Sequence, residues 1–440
     1  MNRRNVTRLA ALAAALLLAS ACSIDNQTMG VRGGPAGGAQ FAVVANIGTS
    51  LSAGFESGGI NDSTQREGPM YQLARAMGLT PGVDWNYPSL AGAGCPAPFT
   101  DPLYHNGRGI RVGGDTTGLK CSFRNTPAPA FINDVAIPAL RAAQALDLTV
   151  VADKHDTLGL AQFITGSVNP VNAALRLHPT FVTIEVGAND ALQAALAGDT
   201  TFLTSTAGFT ASLNAIRDSL ATLGAGLVGV AISNVPNVTV IPHFTKASTL
   251  WCLNNGACPG VPATLPYSSP GFSIAASCAP NAAGGVGDNY LLALPTTATI
   301  TGALAAAGTA RINCGAVDST VANGVSLPAQ YATINTAEYA TITGRVTAFN
   351  TAIQTLATAQ GWAYVDLNAA LAAQAANIPA IPNLANSTQL FACPAAGCPT
   401  GTTTVFSLDG VHPTKAGYKV MASAFATAIN AKYGTTLAVP

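Results

Sequence analysis

Charge is scarce in this chain. Only 9% of its 440 residues are Asp, Glu, Lys or Arg, and twenty basic residues cancel twenty acidic ones. That balance leaves no basic face for nucleic acid. With Thr, Asn, Ala and Gly abundant instead, the surface has to be largely neutral and polar. The nine cysteines and five histidines show no zinc-type spacing. The apolar run Leu9–Ala19, "LAALAAALLLA", is too short to span a bilayer in a mature protein.

What that run does suit is export. Arg3, Arg4 and Arg8 precede it, and a basic start followed by a short apolar stretch reads as a signal peptide over residues 1–21. It ends in "ASAC", Ala19–Cys22, which resembles a bacterial lipobox. The resemblance implies that Cys22 becomes a lipid-bearing mature N-terminus; the alternative is a plain signal peptide cleaved after Ala21. Ser23, in place of Asp after the anchor cysteine, implies sorting to the outer membrane of a bacterial envelope. Residues 23–40 are Gly-rich and lack apolar periodicity, so 22–40 form an anchor and flexible tether before a single body at 41–440.

Eight cysteines remain besides Cys22, an even number that in an exported chain favours disulfides over metal sites. Cys252 with Cys258 and Cys393 with Cys398 are plausible short pairs, although spacing leaves connectivity open.

Within the body, apolar runs bounded by turn residues recur at Phe41–Ile47, Phe181–Val186, Leu227–Ile232 and Ala363–Val365, each suited to a strand buried on both faces. Between them, Phe209, Leu213, Ile216, Leu220 and Leu223 keep helical spacing over Thr206–Leu223. Tyr339, Ile342, Val346, Phe349, Ile353 and Leu356 do the same over Thr336–Gln360, behind an Asn335/Glu338 capping box and before Gly361. Strands alternating with such helices predict an α/β fold with a mostly parallel sheet covered on both faces.

Two stretches break the alternation. Residues 86–129 and 234–330 are rich in Pro, Gly, Asn and Thr and hold six of the eight cysteines, so they read as disulfide-containing loop insertions on the rim of the sheet. They either shape a substrate cleft or elaborate the surface. Likewise Leu265, Tyr267, Phe272, Leu291 and Leu292 either line an acyl site or build a small core of their own.

The chemistry-bearing residues lie near the two ends. "NIGTSLSAG" places Ser50 just after the first strand, where a turn is exposed on a rigid support. "SLDGVHPTKAGY" puts Asp409 three residues before His412, close enough for a turn to set the carboxylate against the imidazole. A serine hydroxyl needs a neutral imidazole to take its proton, and the imidazole needs an acceptor to fix its tautomer. Pro413 suits the first turn of a helix carrying Tyr418, Met421, Phe425 and Ile429 on its apolar face. In "PTFVTIEVGAND" a strand delivers Asn189 to the same rim, where its amide and the Ser50 N–H can donate to an oxyanion. Glu185, inside that strand, is either a buried acid of raised pKa or a group tied to a neighbouring donor. His105, His155, His178 and His243 lack a comparable neighbour and read as solvated or structural.

"GTSLSAG", "GAND" and "DGVHPT", in this order, resemble the first, third and fifth sequence blocks of the SGNH, or GDSL, hydrolases. The resemblance implies a flavodoxin-like three-layer α/β/α sandwich and hydrolysis of carboxylic esters through an acyl-enzyme, esterase- or lipase-like, without metal or organic cofactor. It makes Ser50 the nucleophile, Asp409 and His412 the rest of the triad, and Asn189 an oxyanion donor. Two departures stand out: Thr49 replaces the family's usual Asp, and the second-block glycine that donates its N–H is either replaced by Ala139, in "NDVAIPAL", or supplied by Gly92, in "SLAGAGC". The partners implied are an ester substrate, possibly lipid-like, and a membrane reached through the lipid anchor. A deacetylase of acetylated glycans on the same fold and a non-catalytic surface-binding lipoprotein are the competing readings.

Overall fold

The computed structural model describes residues 38–103, 109–117, 121–122, 124–148, 160–166, 168–255, 271–295, 297–298, 310–314, 333–379, 382–384, 386–391 and 404–439. The signal-peptide and Cys22 readings lie outside these residues, as do Cys258, Cys393, Cys398, His105, His155, Leu265 and Tyr267. Among the described residues no helix is long and apolar enough to cross a membrane.

Five parallel strands form the central sheet: β1 Val44–Gly48, β2 Asp134–Ala136, β3 Phe181–Ile184, β4 Gly229–Ser233 and β5 Ala363–Val365, in the spatial order β2-β1-β3-β4-β5. Val44, Ala45, Ile47, Phe181, Val182, Ile184, Val230 and Ile232 are all buried, as a sheet covered on both faces requires. Seven helices concern the site and its support: α1 Ser50–Ala53, α2 Pro69–Ala76, α3 Pro170–Leu175, α4 Asn189–Ala197, α5 Thr206–Ala221, α6 Thr336–Gln360 and α7 Lys415–Tyr433. Helices α2 and α7 pack together on one face, and α3 to α6 cover the other. The result is a three-layer α/β/α sandwich. Its strand order is the flavodoxin-like one, in which the chain leaves β1 toward one edge and returns on the other side as β3. That reversal opens a crevice beyond the carboxyl ends of β1 and β3, the general place for a site in such sheets.

Local chemistry explains the elements. The Asn335 side chain caps α6 by accepting from the N–H groups of Ala337 and Glu338, Glu338 reaches back to the Asn335 N–H, and Gly361 closes the helix in the left-handed region. In α5, Phe209, Leu213, Ile216 and Leu220 are buried at the spacing read from sequence, with Phe209 stacked on Phe349 of α6. Burying side chains of this size contributes about 1.5–3 kcal/mol each.

Several expectations need correcting. β1 starts at Val44 rather than Phe41, because Phe41 sits in a 3-10 turn against Phe181 and the Val43 N–H and carbonyl both engage the Thr180 hydroxyl. β3 ends at Ile184, and β4 is shifted to Gly229–Ser233, leaving Val228 exposed. Helix α5 stops at Ala221, short of Leu223. Pro413 precedes α7 rather than opening it: Thr414 caps the helix by accepting from the Gly417 N–H, and Pro413 bridges to Phe406 instead. β2 was not anticipated, and its Asp134 is buried.

Both insertions are stapled, by Cys95–Cys121 and Cys278–Cys314. Cys252 is disulfide-bonded as well. Leu291 and Leu292 lie buried in a small antiparallel sheet of Phe244–Lys246, Leu291–Ala293 and Thr333–Ile334; Leu291 joins the main hydrophobic core, and neither lines the cleft at Ser50. Phe272 lies in a separate short strand, Phe272–Ile274.

Candidate active site

At the end of β1 the backbone turns sharply into α1. Gly48 is required there, since a Cβ would overlap the Ser52 hydroxyl. Thr49 is extended, and Ser50 opens the one-turn helix that Gly54 closes at φ 76°. Ser50 is 6% exposed, so the hydroxyl is recessed rather than free at the surface.

Beneath this turn sits the Glu185 carboxylate, at the end of β3. One of its oxygens, Oε2, accepts from the Thr49 N–H (3.0 Å), the Thr49 hydroxyl (2.8 Å), the Ser52 N–H (3.3 Å) and the Ser52 hydroxyl (3.0 Å). Both sequence readings of Glu185 therefore hold. It is tied to donors, and burial, which outweighs those hydrogen bonds, raises its pKa. The carboxylate beside Thr49 is thus supplied from the neighbouring strand. Next to it a buried polar ladder crosses the sheet: the Thr183 hydroxyl donates to Asn46 Oδ1 at 2.9 Å, and Asn46 Nδ2 donates to Asp134 Oδ1 at 2.7 Å. Burial pushes Asp134 up to about 7, the Asn46 hydrogen bond opposing and the Glu185 charge reinforcing the rise.

The loop before α7 brings the distant end of the chain to the same place. His412 Nε2 lies 3.0 Å from Ser50 Oγ, across 362 residues of sequence, and His412 Nδ1 lies 2.8 Å from Asp409 Oδ2. Asp409 Oδ1 accepts from the N–H groups of Val411 (2.8 Å) and His412 (2.9 Å), and Oδ2 also accepts from the Gly58 N–H (2.6 Å). Burial alone would raise the Asp409 pKa, but the charge on His412 and these hydrogen bonds hold it well below the usual carboxylate range. The acid is thus an anion whenever His412 needs an acceptor.

A short segment that the sequence did not point to, Phe55–Gly59, ties the two loops together. The Ser57 N–H donates to the Ser407 hydroxyl at 2.8 Å, the Leu408 N–H donates to the Ser57 hydroxyl at 3.3 Å, and Phe55 packs its ring 4.7 Å from the imidazole. The Tyr418 hydroxyl of α7 donates to the Phe55 carbonyl. From the first insertion, Arg111 lies over the Phe99 ring and donates to the Gly58 and Ala97 carbonyls, 2.7 Å each, so the stapled insertion props this segment. "SGG" at 57–59 reads in sequence as any turn would.

Asn189 begins α4 after Gly187, whose φ of 110° turns the chain at the end of β3. Its Nδ2 donates to the Leu140 carbonyl at 3.0 Å, which leaves the second amide hydrogen for the cleft. Ala139, the residue before Leu140, lines the same cleft with φ 65°, a left-handed conformation that favours glycine. Among the described residues neither the Ser50 N–H nor the Ala139 N–H donates to another protein group. Gly92 is not part of this arrangement: it packs toward Ser122 in the first insertion and does not line the cleft. His243 does line it, but structurally. Its ring Nδ1 lies 3.1 Å from the Asp409 carbonyl, its N–H donates to the Gly410 carbonyl, and burial lowers its pKa.

The cleft above Ser50 has a volume of about 360 Å³ and is walled chiefly by Phe55, Pro96, Leu160, Leu192, Leu196 and Val411. A smaller recess of about 40 Å³ also reaches Ser50 and His412, between Leu51, Pro236, Val238, Ile241, Leu371 and Phe406. Among the described residues, no group of three or more His, Cys, Asp or Glu side chains is arranged to hold a metal ion. Set against known proteins, the chain matches no family model and no curated sequence.

Proposed function

We propose that the protein is a serine hydrolase of carboxylic esters, of the SGNH or GDSL type. The observation that supports this most is the unbroken hydrogen-bonded line Ser50 Oγ, His412 Nε2, His412 Nδ1, Asp409 Oδ2, at 3.0 and 2.8 Å, in the crevice at the switch point of the sheet. In this reading Ser50 Oγ attacks the ester carbonyl and passes its proton to His412 Nε2. The N–H groups of Ser50 and Ala139 and the free amide hydrogen of Asn189 receive the oxyanion, each such donor being worth about 2.7–4 kcal/mol in the transition state. The alcohol leaves with the proton from His412. A water deprotonated by the same imidazole then attacks the acyl-enzyme and frees the acid.

The apolar walls of the cleft favour an ester with a hydrocarbon arm over an acetylated glycan, whose hydroxyls would lose hydrogen bonds to water there. The export signal and the lipobox-like "ASAC" support a lipid on Cys22 and a place on the bacterial outer membrane.

The test is turnover of a chromogenic acyl ester by the purified chain and by Ser50→Ala. The expected loss is a thousandfold or more, roughly what removal of a triad nucleophile causes. Equal rates from the two proteins would end the proposal. Conversion of an acetylated glycan with no turnover of acyl esters would move the substrate to the glycan.

A further inference from the structure

The first insertion reaches the Ser50 line through one cation. Its strands Phe99–Asp101 and Ile110–Arg111 pair antiparallel, inside the loop that the Cys95–Cys121 disulfide closes. From there the Arg111 guanidinium sits 3.7 Å from the centre of the Phe99 ring, and its Nη1 donates to the carbonyls of Gly58 and Ala97, 2.7 Å each. Phe99 grips the same segment. Its N–H donates to the Ser57 carbonyl at 2.7 Å, and its ring lies so close over Gly58 that a Cβ there would fall 2.5 Å from it. Gly58 is also held at φ 65°, in the left-handed region that favours glycine.

The opposite side of Gly58 faces the acid. Its N–H donates to Asp409 Oδ2 at 2.6 Å, and that oxygen is the one 2.8 Å from His412 Nδ1. Any displacement of Gly58 therefore moves the atom that orients the imidazole. A neutral donor could tie the two carbonyls together, yet the residue here is a half-buried cation. Burial lowers the Arg111 pKa, the charges of Asp115 and then Asp409 oppose that, and a guanidinium keeps its proton regardless. Burying a charge is costly, and the anion of the triad is among the groups that offset it. We infer that Arg111 is a positioning residue: it holds Gly58 so that the Gly58 N–H and the nearby positive charge keep Asp409 Oδ2 on His412 Nδ1. The insertion at 86–129 thereby takes part in the reaction, beyond walling a cleft or elaborating the surface.

This inference rests on the proposed ester hydrolysis, and the experiment separates the two. The full chain, Arg111→Lys and Arg111→Met are compared on a chromogenic acyl ester, with Ser50→Ala as the blank and Tm measured for each. In Arg111→Met, kcat should fall by roughly ten- to a hundredfold, the order that a small displacement of a reacting group costs. KM should stay within about twofold, because holding the ester does not call on Asp409. Arg111→Lys keeps the charge without the planar fork, so its kcat should lie between the two. A general loosening of the insertion would instead raise KM, since Gly58 and Pro96 line the cleft. If Arg111→Met does not fold, Arg111→Gln, which keeps an N–H donor without the charge, takes its place in the same comparison. Ser50-dependent hydrolysis with kcat unchanged in the uncharged variant, a loss carried mainly by KM, or an Arg111→Lys no better than the uncharged variant overturns the inference alone. Absence of any Ser50-dependent hydrolysis by the wild type overturns both.

Discussion

The two loops that meet at Ser50 are each built around a carboxylate shielded from most solvent, and they hold it in opposite ways. Under the β1 turn, Glu185 accepts hydrogen bonds from Thr49 and Ser52 and still has a raised pKa. In the loop before α7, Asp409 accepts from Gly58, Val411 and His412 and is held well below the ordinary range. Glu185 is buried and Asp409 largely so, and both are well supplied with N–H donors. What differs is the imidazole. Hydrogen bonds alone do not offset burial at Glu185, whereas the opposite charge that His412 can carry reverses the balance at Asp409. One carboxylate is therefore an electrostatic partner, and the other is a hub that sets the backbone of the Ser50 turn.

The difference is largest if the acceptor is removed without changing its shape. Asp409→Asn puts an amide where His412 Nδ1–H needs an acceptor, and the tautomer with Nε2 free to take the Ser50 proton is no longer favoured. Turnover of a chromogenic ester should fall by roughly 10⁴, the order associated with removing a triad acid in this way. Glu185→Gln should behave differently. The amide oxygen can keep the four bonds now made to Oε2, and its NH₂ can face the Thr49 hydroxyl, so kcat should drop by no more than about tenfold, the cost of a modest shift in hydrogen bonding. Glu185→Ala strips all those donors of their acceptor and should lower stability by a few kcal/mol, visible as a fall in Tm. A Glu185→Gln variant as impaired as Asp409→Asn would show that the Glu185 charge is used directly and would break the comparison.

A third carboxylate extends it. Glu56, in the segment that ties the two loops, has a buried Oε2 with no hydrogen-bond partner, and burial, with Glu67 and then Asp409 adding to it, pushes its pKa from 4.5 up to about 7. The neutral form is the one the fold favours. Its contribution is therefore complete below pH 4.5 and is lost progressively as pH rises to about 7, while the unfolded chain has already given up its proton. Glu56→Gln should consequently gain in Tm relative to the wild type across that interval, with little difference at lower pH. A Tm difference that does not vary with pH would show that Glu56 is ionised in the fold, and burial would then not be what separates it from Asp409.

How much of this could be read from the letters depends on whether the cause is local. Helix α6 was legible from Asn335 to Gly361 because its cap, apolar stripe and stop all lie in contiguous sequence. β1 and β3 were legible as apolar runs; β1 begins three residues later than its run because Thr180, a long-range partner, takes the Val43 backbone, and β3 ends two residues before its run does. β2 was not legible: three residues with an Asp at one end read as a loop until Asn46 of the adjacent strand supplies the donor. At the site, Ser50, Asn189, Asp409 and His412 could be singled out only because they sit in short patterned blocks. Ser57 and Gly58 hold Asp409 and its loop just as directly, yet they do so through backbone N–H groups and a hydroxyl that any turn would have.

The smallest expected effect belongs to the third loop at the cleft, where Ala139 occupies the position at which the resemblance anticipates glycine. Its φ of 65° is one that an L residue with a Cβ adopts at a penalty of about 1–2 kcal/mol, whereas glycine enters it freely. Glycine also gives the unfolded chain more freedom, which takes back roughly 0.5–1 kcal/mol. Ala139→Gly should therefore raise stability by at most about 1.5 kcal/mol, a shift of no more than roughly two degrees in Tm for a body of this size. A clear loss of stability would mean that the Ala139 methyl gains more from packing against the cleft wall than its backbone loses in strain. In that case the alanine is retained for its contact, unlike Glu185, whose carboxylate is retained for the donors it gathers.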